Sequence, residues 1–177
     1  MNDKICIISF YKFIKINEIE KTRNIIQKYA EDNRLTGTIL LAPEGINGTV
    51  EGQSANIEYF LKKLKSIDNF KDLDPKYSYD KKNAFNRMKV RIKKEIVTIG
   101  DTNIDPNKDL GEYIDPLDWN KFISSSDTIL IDTRNDYEVS IGTFKGAINP
   151  KTKSFRDLPD WIEKEFINKN KNVKNKK

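Results

Sequence analysis

Residues 35–52, LTGTILLAPEGINGTVEG, constrain this chain more than any other stretch. A short apolar strand, Thr38 to Ala42, runs into Pro43-Glu44-Gly45-Ile46-Asn47-Gly48 and then a second strand, Thr49 to Glu51. Pro43 fixes φ, Gly45 and Gly48 permit positive φ, and Asn47-Gly48 is a turn-prone pair. The pattern predicts a tight β–loop–β unit at the centre of a small sheet, with Glu44 and Asn47 displayed at its tip. Glu44 and Asn47 are therefore candidate substrate contacts, and equally residues that merely build a turn.

Other elements arrange themselves around that unit. The run ICIISFYKF, residues 5–13, suits a buried strand, and Cys6 within it is expected in the core. Ile19, Thr22, Ile26, Tyr29 and Ala30 share one stripe of a helix over residues 18–33, with Asn17 as its cap. A second helix starts at Ser54 and carries Ile57, Phe60, Leu61 and Leu64. Strands follow at residues 74–79 and 87–99. The order β-α-β-β-α-β with an additional strand predicts an α+β, ferredoxin-like domain over residues 1–100, an antiparallel sheet with both helices on one face.

Strand 87–99 has the clearest charge pattern. Arg87, Lys89, Arg91 and Lys93 fall on one face by the two-residue period, and Met88, Val90 and Ile92 on the other. This is either a half-buried strand with a solvated face or a strip that follows a phosphate backbone. Four like charges in a row repel one another, which gives an anionic partner its appeal.

Residues 101–112 are polar, Asp/Asn-rich and Pro-containing, and are read as a linker. Beyond them, Asp115-Pro116 opens a short helix through Ile123. Residues 128–131 suit a buried parallel strand leading to Asp132-Thr133-Arg134, with a short helix over residues 135–141. Leu158, Trp161, Ile162 and Phe166 line a closing helix, and residues 168–177 are expected to be a disordered Lys/Asn tail.

Absences prune the chemistry. The chain has no histidine and a single cysteine, so neither an internal disulfide nor a Cys/His metal site is available. Asp132, Asp136 and Glu138 lie close together but lack a metal motif, and read as caps and ion-pair partners. The net charge of +5 gathers partly in the last dozen residues and argues only weakly for an anionic partner. No apolar run approaches a membrane span, and the start lacks the apolar core of a secretory signal. Together these predict a cytoplasmic protein.

Several motifs carry a resemblance. Ile131-Asp132-Thr133-Arg134, Tyr137-Glu138, Gly142 and Gly146-Ala147-Ile148-Asn149-Pro150 resemble the start of a rhodanese domain. Ile8-Ser9-Phe10-Tyr11-Lys12, Leu41-Ala42-Pro43-Glu44-Gly45-Ile46-Asn47-Gly48, Arg87-Met88-Lys89-Val90-Arg91 and Gly111-Glu112-Tyr113 precede them in order. Ile141-Gly142-Thr143-Phe144 and Phe155-Arg156 complete the set. The whole is similar to the rhodanese-like tRNA uridine hydroxylase family, UPF0176.

The resemblance implies an acylphosphatase-like first domain, an incomplete α/β rhodanese-like domain over residues 113–167, and oxidation of the tRNA wobble uridine by dioxygen. No other cofactor is evident. It also implies that Asp132, Arg134 and Glu138 are structural, Arg134 and Glu138 forming an ion pair that positions a loop. The family's catalytic loop, which opens on a cysteine, has no counterpart after Phe166, and no cysteine follows Cys6. The expectation is a chain truncated before that loop and inactive alone, with tRNA as partner and a companion chain to complete it. The alternatives are a non-catalytic RNA-binding module, half of a split enzyme, or a sulfurtransferase remnant.

Overall fold

Core and surface positions alternate along β1 (Ile5–Phe13), where Cys6, Ile8 and Phe10 are buried and the residues between them are not. The same alternation organises β2 (Thr36–Ala42) and β3 (Gly45–Gly52), so that Ile39, Leu41, Ile46 and Val50 join one apolar face. The computed structural model describes residues 4–97 and 111–167, with side chains to residue 164. The chain divides into two units, Met1–Val97 and Thr98–Lys177.

The first unit is a five-stranded sheet in the order β4-β1-β3-β2-β5, with β4 at Lys76–Asp80 and β5 at Met88–Ile92. Helix α1 (Ile19–Asp32) brings Ile26 and Ala30 to the apolar face, and α2 (Ser54–Lys65) brings Ile57, Phe60, Leu61 and Leu64. Each fully buried Ile, Leu or Phe among these contributes about 1.5–3 kcal/mol relative to exposure. As the sequence predicts, the β–turn–β unit is central: β3 lies between β1 and β2, antiparallel to both. The element order is that of a ferredoxin-like α+β domain.

Local details differ from expectation. The turn is only Pro43-Glu44, and Asn47-Gly48 continues β3, paired with Leu40 and Ile39. Gly48 is there because it lies beneath neighbours: a Cβ on it would sit 2.9 Å from Ile39 Cγ1 and 3.0 Å from Phe10 Cζ. Gly45 meets the positive-φ requirement instead, at φ 155°, and its missing Cβ leaves room for the Lys12 carbonyl. Neither Asn17 nor Ser54 caps its helix. Glu18 and Gln53 occupy those positions without a side-chain bond, and Ser54 is the first helical residue of α2.

The sheet is mixed rather than antiparallel, because β5 runs parallel to β2 from Gly37↔Met88 to Leu41↔Ile92. The expected strand over residues 87–99 stops at Ile92, where its partner reaches the turn: the Lys93 N–H donates to the Leu41 carbonyl at 2.7 Å as a last rung. Residues 93–97 do not continue it as strand, while residues 98–99, most of the expected linker over residues 101–112 and the tail 168–177 lie outside the described residues. The outward edge of β5 is closed by α1, whose Gln27 accepts from the Val90 N–H at 3.0 Å while Arg23 Nε donates to the Val90 carbonyl at 3.2 Å. An edge satisfied this way offers fewer free groups to a stray strand.

In the second unit, α3 (Trp119–Ile123) and α4 (Asp136–Val139) are short. The strand expected over residues 128–131 is a single parallel bridge, Ile131↔Ile148, with the Ile148 N–H donating to the Leu130 carbonyl and the Asp132 N–H to the Ile148 carbonyl, each at 2.9 Å. One bridge is what a buried-type strand retains when the described residues supply it a single neighbour. The closing helix passes from a 3-10 turn, Phe155–Asp157, through Leu158–Asp160 to a wider π turn, Trp161–Ile167.

Candidate nucleic-acid interface

The sheet face opposite the helices is built from the alternate residues of every strand. Cross-strand register sets two rows across it. One row is Tyr11, Asn47, Leu40 and Arg91. The other is Lys76, Ser9, Thr49, Thr38 and Lys89. Strands about 4.8 Å apart make the five-strand row about 19 Å long. Ser9 and Thr49 share a hydrogen bond between hydroxyls at 3.1 Å. Tyr11 is 52% exposed and makes an edge contact with Phe13, ring centroids 6.4 Å apart.

Of the four predicted basic residues, Lys89 and Arg91 lie on β5 itself and head these rows. Arg87 and Lys93 flank the strand, and both are exposed. Their backbones still join the ladder, the Gly37 N–H donating to the Arg87 carbonyl at 3.2 Å. The strip is thus shorter than the sequence suggested and centred on Lys89 and Arg91.

Glu44 and Asn47 do something other than display themselves. Glu44 stands in the turn, and its Oε1 accepts from the Ile96 N–H at 2.8 Å. Asn47 is not at the tip: it sits inside β3 and its amide makes a longer contact, 3.4 Å, to the Ile96 carbonyl. Together they hold residues 93–97 against one end of the open face, where Ile96 is buried over Gly45.

The opposite end is closed through a residue the sequence reading missed. Glu51 of β3 is wholly buried on the polar side of the sheet. Its Oε1 accepts from Thr36 Oγ1 at 3.0 Å and the Phe85 N–H at 2.9 Å, and its Oε2 from the Ala84 N–H at 2.9 Å. Residues 81–87 are thereby clasped to the sheet. The available signal was an acidic residue inside an otherwise neutral central strand, since a charge is buried only where donors meet it.

In the second unit, Asp132, Arg134 and Glu138 are not one cluster. Arg134 pairs with Asp132, Nε to Oδ1 at 2.9 Å and a terminal nitrogen to Oδ2 at 2.6 Å, and also donates to the Gly142 carbonyl at 2.7 Å. Thr143 adds a bond to Asp132 Oδ2 at 2.7 Å. Hydrogen bonds from Arg134, then from Thr143, hold the Asp132 carboxyl well below the usual carboxylate range. The expected Arg134–Glu138 ion pair is replaced by this fork because a guanidinium two residues on fits the carboxylate bidentately. Glu138 instead closes a capping box on α4, accepting from the Asn135 N–H at 3.1 Å.

Beside this knot is a concavity of about 480 Å³, lined by Trp119, Leu130, Phe144 and Ala147 together with Asp132 and Arg134. Among the described residues no group of three or more Cys, Asp and Glu could hold a metal ion. Cys6, 1% exposed, is a core residue; burial, reinforced by the Glu58 charge, pushes its thiol upward. It lacks the access and low pKa that a nucleophilic thiolate needs.

The first unit is therefore of the acylphosphatase-like class, a ferredoxin-like α+β domain whose open face is polar and basic. A family model, the UPF0176 acylphosphatase like domain, matches residues 5–96, and the chain belongs to the UPF0176 family. The chain is 48% identical over 158 residues to the tRNA uridine(34) hydroxylase of Acaryochloris marina, covering 89% of this chain and 51% of that protein. It is 47% identical over 168 residues to the protein of the same name from Picosynechococcus, covering 95% and 56%. The chain spans about half the length of the curated relatives it matches. Among solved structures, the acylphosphatase from Bacillus subtilis is similar over 49% of this chain and 98% of its own, with 14% identity and a TM-score of 0.41. No helix among the described residues is long and apolar enough to cross a membrane.

Proposed function

We propose that this chain forms the RNA-binding part of an enzyme that hydroxylates the wobble uridine of tRNA in the cytoplasm, with dioxygen as co-substrate. The observation that supports this most is its identity of nearly one half, over most of its length, to proteins named for that reaction. The basic edge at Lys89 and Arg91 supports it independently, because a polyanion is the partner such an edge attracts. In this reading the 177 residues are inactive by themselves, since their cysteine is packed in the core. A companion chain completes the site. What favours that arrangement is the set of large side chains exposed in the second unit, among them Leu117 at 94% and Ile141 at 86%.

Assaying wobble-uridine hydroxylation with the purified 177-residue protein tests this. No turnover is expected, and turnover by the chain unaided would refute the proposal of inactivity. Adding a polypeptide that carries the Cys loop is expected to restore it.

Lys89→Glu with Arg91→Glu is expected to weaken tRNA binding and flatten its salt dependence. Unchanged binding would remove this surface from the account. A sulfurtransferase role needs the same absent thiol and gains nothing from the first unit.

A further inference from the structure

We propose that the open sheet face of the first unit is a seat for an unpaired stretch of RNA, with Tyr11 as the platform on which a base stacks. The inference rests on the tRNA reading and adds which form of the nucleic acid is held, and by which side chains.

Two features of the face argue for it. First, cations stand at its margins and neutral groups at its middle. Lys76 and Lys89 end one row and Arg91 ends the other, while Ser9, Thr49, Thr38, Asn47 and the apolar Leu40 lie between. Phosphates suit the margins, and base edges or ribose hydroxyls suit the hydroxyls and the amide. Second, the exposed Tyr11 ring lies in the same row as Arg91, three strands away or about 14 Å. An aromatic face gains from stacking only on a base whose own face is free. A paired helix hides those faces, so ring and cation together select a single strand.

The surroundings fix where that strand runs. Residues 81–87, clasped by Glu51, close one end of the face, and residues 93–97, held by Glu44, close the other. The strand therefore crosses the β-strands along the two open rows, from Lys76 toward Lys89 and Arg91. The next row inward holds Glu51, whose carboxylate is taken up by three donors and is wholly buried.

Binding of a fluorescein-labelled seven-nucleotide single-stranded RNA to the full 177-residue chain, measured by anisotropy beside a duplex of equal length and an intact tRNA, tests the assignment. Tyr11→Ala is expected to weaken single-strand binding about 5- to 160-fold, the range of one lost base stack. Tyr11→Phe keeps it, and Tyr59→Ala, on the helical side, leaves it unchanged. Lys89→Glu with Arg91→Glu is expected to lower the salt slope by about 1.4. Tyr11→Leu, which keeps an apolar side chain at the site, is expected to abolish quenching of a 2-aminopurine placed in the oligonucleotide.

Tyr11 variants that bind the single strand as the native chain does would overturn the seat, even if tRNA binding responds to Lys89 and Arg91. Equal affinity for the duplex would overturn it too. Tyr11-dependent binding of the single strand without any binding of tRNA would uphold the seat and sink the tRNA reading.

Discussion

Gly48 shows how little room the first unit leaves at its centre. It occupies the middle of β3, beneath Phe10 and Ile39, where an added methyl has atoms at 2.9 and 3.0 Å on two sides. Gly48→Ala is expected to lower stability by about 1–3 kcal/mol, the usual cost of overfilling a packed core. The urea midpoint would fall with an unchanged slope, whereas a purely conformational role for this glycine would leave alanine neutral or better. In the sequence, Asn47-Gly48 has the look of a turn, because turn chemistry and close packing both select glycine. Only the register, which places Gly48 opposite Phe10, separates the two.

At the scale of elements, Glu51 ties a strand to a segment that has no regular structure. Glu51→Ala strands two backbone N–H groups and a hydroxyl, at about 1–3 kcal/mol for each buried group left unmatched. Glu51→Gln keeps an acceptor and is expected to lose much less. Hydrogen exchange at Ala84 and Phe85 distinguishes this clasp from a general loss of stability: protection there should fall first in the alanine variant. Faster exchange spread evenly over the unit would argue against it. Both long helices were legible from period, since Ile26 and Phe60 fall where the apolar face needs them, and β1 and β2 from their apolar runs, which place Ile8 and Ile39. The end of β5 was not. The expected strand ran on to residue 99, although Lys94 and Glu95 already break the alternation; β2 turns at Pro43, so no partner remains and Ile96 folds over Gly45 instead. The basic pair Lys89 and Arg91 was readable. Its companion Tyr11 was not, because only the three-strand register puts an aromatic from β1 in line with a cation from β5.

Across the whole molecule, the two units can be followed separately. Both tryptophans, Trp119 and Trp161, belong to the second, so their emission reports on it alone. Asp132 has its folded-state pKa held below the unfolded value by Arg134 and Thr143. Its contribution is therefore fully present above the ordinary carboxylate range and is lost as pH falls through that range toward the folded value. Tryptophan emission is expected to show the second unit weakening on acidification, and Asp132→Asn is expected to weaken it already at neutral pH and remove that part of the pH dependence. An acid profile identical in the variant would mean that Asp132 is not the group responsible. The Asp132–Arg134 fork was foreseeable as an ion-pair motif, but its members were misassigned. Sequence distance did not show that Glu138 would be occupied in closing its own helix.

The clasps at Glu51 and Glu44 share a trait with a further consequence. Each carboxylate grips main-chain N–H groups, of Ala84 and Phe85 in one case and Ile96 in the other, and neither grip draws on a side chain of the gripped segment. Such anchorage is blind to the letters it anchors. Apart from Ile96, which is buried over Gly45, the rims of the open face are thus free to be rewritten residue by residue while their course over the sheet stays put, which lets what the face prefers drift without the scaffold having to be reinvented.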